Sequence, residues 1–155
     1  MKKVTYLTES AKKFSREEAI AEAKRCLLCE EAYCNKKCPI NSNPKEFVEL
    51  VATEQFDKAI GLIRDNNPLF YSICTRVCPY DSYCVGGCRN SKLADDPIMI
   101  PFIQKYLVDY CDETDEIILS GNVEPKKVGQ KVAIIGSGPA GLAAAAVLGQ
   151  KGYEV

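Results

Sequence analysis

Eight of the nine cysteines fall between residues 26 and 88, in two groups of four. The first group is Cys26, Cys29, Cys34 and Cys38, with gaps of two, four and three residues and Pro39 after the last. The second is Cys74, Cys78, Cys84 and Cys88, with gaps of three, five and three and Pro79 after Cys78. Thiolates are soft donors, and close groups that contain Cys-Pro fit iron–sulfur ligation. A cluster needs four ligands, of which one short loop can offer three. The cysteine of a Cys-Pro pair commonly serves a second cluster. The wider gap between Cys29 and Cys34 departs from the ordinary ferredoxin pattern, and two clusters are expected.

Three other uses of cysteine compete. Disulfides need an oxidising compartment, whereas the N-terminus has no apolar run of signal-peptide length and the cysteine count is odd. Structural zinc could use Cys26 and Cys29, but zinc sites tend to recur as paired knuckles or recruit histidine, and the sequence has no His. Inert packing cysteines would not cluster in this way, though Cys111 on an apolar helix face fits that description.

A second motif is Gly136-Ser137-Gly138-Pro139-Ala140-Gly141. It follows an apolar strand-like run, 131–136, and opens a helix-like run with alanine at 143–146. In that context backbone N–H groups and a helix N-terminus face a dinucleotide pyrophosphate. Gly136 would permit the tight turn, Gly138 the approach of phosphate, and Gly141 close helix–strand packing. The bland alternative is an ordinary glycine-rich turn.

Gln104 is the third candidate. It lies inside the apolar stripe Ile100, Ile103, Leu107, Val108 and Cys111. Either its amide bonds a neighbouring backbone group, or its oxygen faces an electrophile such as iron. No general acid, base or nucleophile can be assigned, so no catalytic residue is expected.

The elements that would hold these residues read as helices. Ser15 and Glu18 suit a capping box for a helix running to about Arg25. Asn43-Pro44 suits an N-cap followed by proline at the first helical position, with Phe47, Leu50 and Val51 on one face. Phe56, Ala59, Ile60 and Ile63 repeat at helical spacing, and Asn66-Asn67-Pro68 ends that run. A last helix runs from about Ile98 into the Cys111 region. Residues 113–130 read as a linker. At 155 residues, 46% hydrophobic and a net charge of −1, the composition is that of a globular protein. It gives no bulk electrostatic reason to bind nucleic acid. The longest apolar stretch, near Val132 to Gly149, is broken by Gly, Ser and Pro and makes a poor membrane span, so a cytoplasmic protein is expected. Tyr153-Glu154-Val155 reads as the start of a second strand, and the parent protein is expected to continue beyond it.

The two cysteine groups, the run Cys84-Val-Gly-Gly-Cys88 and the Gly136 motif together resemble the N-terminal part of the glutamate synthase small-subunit family, which includes the pyrimidine-reducing dehydrogenases. The resemblance covers about residue 15 to the end. It implies a mainly α fold: a helical domain with two [4Fe-4S] clusters over 1–112, a linker over 113–130, and over 131–155 the truncated start of a Rossmann-type FAD/NAD(P)-binding domain. By resemblance, Cys26, Cys29, Cys34 and Cys88 hold one cluster. Cys38, Cys78, Cys84 and Gln104 hold the other, and Cys74 binds no iron. A glutamine at 104 resembles the dihydropyrimidine dehydrogenases, whereas glutamate synthase small subunits tend to carry Glu there.

The implied parent is an NAD(P)H-dependent flavin and iron–sulfur oxidoreductase. In it, electrons pass from NAD(P)H through FAD and the clusters to an FMN-containing dihydropyrimidine dehydrogenase subunit or domain, or else to a glutamate synthase large subunit. The 155 residues alone are expected to be inactive. A zinc-stabilised interaction module without redox role is the alternative of another class. Gly86 and Gly87 are expected to let backbone N–H groups approach cluster sulfurs.

Overall fold

The computed structural model describes residues 13–67, 71–113 and 127–155. Its architecture is mainly helical. α1 (Arg16–Lys24) starts at a complete capping box: the Ser15 side chain accepts from the Glu18 backbone N–H, and the Glu18 carboxylate accepts from the Ser15 N–H at 2.8 Å. α3 (Pro44–Ala52) begins with proline at its first turn, where the missing N–H is no loss. Asn43 precedes it but does not cap it through its side chain. The residue is left-handed, φ 51°, a conformation Asn tolerates, and its Oδ1 accepts from Asn35 Nδ2 instead. α4 (Phe56–Asn66) stops at Asn66; Pro68 lies outside the described residues.

α1, α3, α4 and α7 (Ile100–Glu113) pack together. α1 presents Ala19 and Ala23, four residues apart and small, so α3 approaches closely with Phe47, Val48 and Val51. α4 contributes Ala59, Ile60 and Ile63, and α7 contributes Ile103 and Leu107. Every residue of the expected α7 stripe is buried, Gln104 among them. Three short helices absent from the sequence reading, α2 (Tyr33–Lys37), α5 (Tyr71–Val77) and α6 (Arg89–Ala94), carry or flank the cysteines. Cys26, Cys34, Cys84 and Cys88 are half-buried and packed on the rim of this core. No helix among the described residues is long and apolar enough to cross a membrane.

Residues 127–155 contain α8 (Pro139–Gln150). Gly136 is at φ 104°, and a Cβ on Gly141 would lie 2.1 Å from the Gly136 carbonyl oxygen, so both positions require glycine. Lys131 and Glu154 form a parallel bridge, flanked by Val132 N–H donating to the Glu154 carbonyl (2.8 Å) and Glu154 N–H to the Gln130 carbonyl (3.1 Å). Beyond this bridge, residues 131–136 do not form the buried strand the apolar run suggests. Ile135 is wholly exposed, because among the described residues only the bridge at Glu154 pairs with this segment. Most of the expected linker lies outside the described residues.

Candidate functional site

Cys26, Cys29, Cys34 and Cys88 line one cavity. Cys26 follows the end of α1, with its N–H donating to the Ala23 carbonyl at 3.0 Å. The loop then reverses at Leu28, left-handed at φ 46°, which is uncommon for a residue with a branched side chain. That turn brings Cys29 back to the wall that Cys26 lines. α2 supplies Cys34, and Cys88 stands at the start of α6. The backbone N–H of Ile98 approaches the Cys88 Sγ at 3.5 Å, and Asn90 Nδ2 donates to the Arg25 carbonyl (3.3 Å), tying α6 to the end of α1. Lys45 and Arg89 also line this cavity. Arg89 lies over the Tyr33 ring, 5.4 Å from its centroid. Burial pushes the Cys34 thiol up to about 11, with the neighbouring Cys26 and Cys88 adding to the rise. Burial also raises Cys26, and Cys88 and Cys29 add to it.

Cys38, Cys74, Cys78, Cys84 and Gln104 line a second cavity. α2 ends at Cys38, α5 carries Cys74, and Cys78 directly follows that helix, its N–H donating to the Cys74 carbonyl at 3.4 Å. Gln104 reaches in from α7. Its Nε2 donates to the Tyr71 carbonyl at 2.9 Å, which leaves the amide oxygen as the free donor atom. Ser42 N–H donates to Cys38 Sγ (3.4 Å), and the Ser42 hydroxyl shares a hydrogen bond with the same sulfur (3.2 Å). Asn67 Nδ2 donates to Cys74 Sγ (3.4 Å). Among the described residues, no Lys, Arg, Asp or Glu lines this cavity. Burial pushes Cys84 up to about 12, helped by Cys78 and Cys38, and raises Cys74 and Cys78 as well. Pro44 and Ile100 line both cavities and so form a shared apolar wall.

The structure therefore groups Cys26, Cys29, Cys34 and Cys88 around one cavity, and Cys38, Cys78, Cys84 and Gln104 around the other, with Cys74 added to the second. Cys111 is elsewhere: it is buried, and Arg64 Nη2 approaches its sulfur at 3.0 Å. The residues Gly136, Ser137, Gly138, Pro139, Ala140 and Gly141 line neither cavity. Gly86 and Gly87 do not aim their N–H groups at sulfur. These donate to the carbonyls of Tyr80 (3.5 Å) and Tyr83 (2.8 Å), closing the turn between Cys84 and Cys88. Ser42, Lys45 and Arg89 were not singled out in the sequence, and Asn67 and Ile98 were read only as helix ends. Only Ser42 left a local trace there, four residues after Cys38.

The donor set suits an iron–sulfur core. Among the described residues, no three His, Cys, Asp or Glu stand close enough together to surround a single metal ion. One tetrahedral zinc with bonds of about 2.3 Å would draw its sulfurs to within ~3.8 Å of each other. Thiols spread around a cavity wall suit a wider core. As thiolates they would be uncompensated anions in the second cavity, and iron supplies the missing positive charge.

Residues 3–116 match the family described as dihydropyrimidine dehydrogenase domain II, 4Fe-4S cluster. The chain is 40% identical over its whole length to the NAD-dependent dihydropyrimidine dehydrogenase subunit PreT of Escherichia coli (strain K12), and covers 36% of that protein. The PreT homologue of Salmonella typhi is likewise 40% identical, over 100% of this chain and 36% of its own. The glutamate synthase [NADPH] small chain of Azospirillum brasilense is 34% identical, over 92% of this chain and 29% of its own. The chain thus spans about a third of the length of the curated relatives it matches.

Proposed function

The chain belongs to the dihydropyrimidine dehydrogenase domain II family of 4Fe-4S cluster domains, and from that premise we propose that it is the electron-relay part of an NAD(P)H-dependent flavin and iron–sulfur oxidoreductase. In this reading residues 1–112 are a two-cluster domain, 113–130 a linker, and 131–155 the start of a domain that binds FAD, with NAD(P)H bound further along the parent protein. Cys26, Cys29, Cys34 and Cys88 ligate one [4Fe-4S] cluster. Cys38, Cys78, Cys84 and the amide oxygen of Gln104 ligate the other. When bound, such clusters accept and donate single electrons at potentials set by ligand charge, hydrogen bonds to sulfur and exposure.

The protein's own residues divide the work. Lys45 and Arg89 offset the charge of four thiolates at the first cavity. At the second, where no charged side chain stands among the described lining residues, a neutral amide in place of a fourth thiolate lowers the negative charge instead. Pro44 and Ile100 keep the partition between the cavities apolar and water-poor. The partner is an FMN-containing dihydropyrimidine dehydrogenase subunit that reduces pyrimidines, in the cytoplasm. Gln104 supports this branch. The similarity to glutamate synthase small chains supports a second reading, in which electrons go to a glutamate synthase large subunit.

The observation that carries the proposal is the lining of the cavities: each takes cysteines from both sequence groups, and the two share a wall. Single substitutions test it. Cys88→Ser is expected to remove one cluster's electron paramagnetic resonance signal and Cys78→Ser the other's, while Cys111→Ala keeps both and all of the iron. Equal iron loss in all three would overturn the ligand assignment.

A further inference from the structure

The second cavity offers one donor more than a four-iron cluster takes. Cys38, Cys74, Cys78, Cys84 and Gln104 all line it, and four of them suffice. Tyr71, Cys74 and Cys78 stand at i, i+3 and i+7, along one face of α5 and the turn that continues it. The same helix anchors Gln104, through the Tyr71 carbonyl that accepts from its amide nitrogen at 2.9 Å. One turn further on, the Cys74 sulfur is engaged by Asn67 Nδ2 at 3.4 Å. The Gln104 amide, on α7, and the spare sulfur, on α5, are therefore two donors that line one cavity and are tied to the same helix.

Resting on the reading that this cavity holds a four-iron cluster, we infer that Cys74 is an alternative fourth ligand, held in reserve by Asn67, which takes the iron position when the Gln104 oxygen leaves it. The exchange balances without any change of oxidation state. The Fe–Oε1 bond breaks, the Cys74 Sγ–H releases its proton to water, and an Fe–Sγ bond forms. The cluster with its ligands then carries one more negative charge, with no charged side chain among the described lining residues to offset it, so its potential falls. Thiolate is the softer and stronger donor for iron. What favours the amide is its neutrality in a cavity whose described lining residues include no cation, together with the hydrogen bond that occupies Cys74. The pair sets two potentials for one cluster.

Four variants, prepared anaerobically beside the wild type, test this by iron analysis, electron paramagnetic resonance and redox titration. Cys74→Ser is expected to keep about eight irons and the wild-type spectrum. Gln104→Ala is expected to keep about eight irons, with one cluster altered in spectrum and lowered in potential. The double variant Gln104→Ala/Cys74→Ser is expected to lose one cluster or convert it to a three-iron form. Asn67→Ala, which leaves all the donors in place, is expected to show a second spectral species matching that of Gln104→Ala. Gln104→Ala losing as much iron as the double variant, or Asn67→Ala showing the wild-type spectrum alone, overturns the reserve-ligand inference while leaving the two-cluster reading intact. A wild-type protein with fewer than two clusters overturns the reading beneath it.

Discussion

Replacing Gly86 with alanine tests whether the cysteine positions depend on a backbone contact that only glycine allows. An ideal Cβ at Gly86 would lie 2.0 Å from the carbonyl oxygen of Asp81 and 3.1 Å from its carbonyl carbon. Ordinary C···O contacts are about 3.4 Å, so the two backbone segments must separate by about 1.4 Å. Neither partner is a flexible side-chain end. Gly86 stands between Cys84, on the second cavity, and Cys88, on the first, so the shift acts on both. Metal–ligand distances tolerate only about 0.2 Å, and overpacking of this kind costs about 1–3 kcal/mol. Gly86→Ala is therefore expected to hold well under half of the wild-type iron. Gly87→Ala meets Lys37 Cγ at 3.0 Å and the carbonyl oxygens of Tyr33 and Tyr83 at 3.1 and 3.2 Å, so a few tenths of an ångström suffice and the loss should be partial. Gly138→Ala meets nothing within 4 Å and should keep all of it. Iron and acid-labile sulfide per chain are the assay. Full iron in Gly86→Ala, with unchanged thermal stability, would refute the steric argument.

Arg89→Gln removes a cation from the lining of the first cavity, and is expected to lower one cluster potential by on the order of tens of mV while leaving the other in place. Redox titration followed by electron paramagnetic resonance reads both. Lys105 is 1% exposed and pairs with Asp109 at 2.9 Å, so Asp109→Ala removes a charged hydrogen-bond partner from a buried ammonium and is expected to destabilise the fold by about 1.5–3 kcal/mol in chemical denaturation. The double variant Lys105→Met/Asp109→Leu should recover part of that loss, since the buried ammonium is removed together with its carboxylate. Phe47→Ala, at a fully buried position between α1 and α4, should cost about 3–5 kcal/mol in the same assay.

The long helices were legible in the sequence because their signals are local. The Ser15–Glu18 box, the proline at 44 and the spacing of Phe56, Ala59, Ile60 and Ile63 each act within one or two turns. α2, α5 and α6 were not legible, since helices of five to seven residues carry too little periodicity to distinguish them from loop. Asn43 shows how a correct boundary can rest on a wrong cap: its side chain bonds Asn35, a partner set by chain reversal. Spacing showed that the cysteines form two groups, but their division between cavities is tertiary and came from family resemblance. The hydrogen bonds of Asn67 to Cys74 and of the Ile98 N–H to Cys88 cross loops, and no sequence period encodes them. The apolar run 132–136 looked buried because its composition suits a sheet interior, yet burial depends on neighbouring strands.

Metal analysis of the anaerobically purified protein tests the central claim most directly. Two four-iron clusters require about eight irons and about eight acid-labile sulfides per chain, in a brown protein with negligible zinc. A colourless protein with stoichiometric zinc and little iron or sulfide would contradict it.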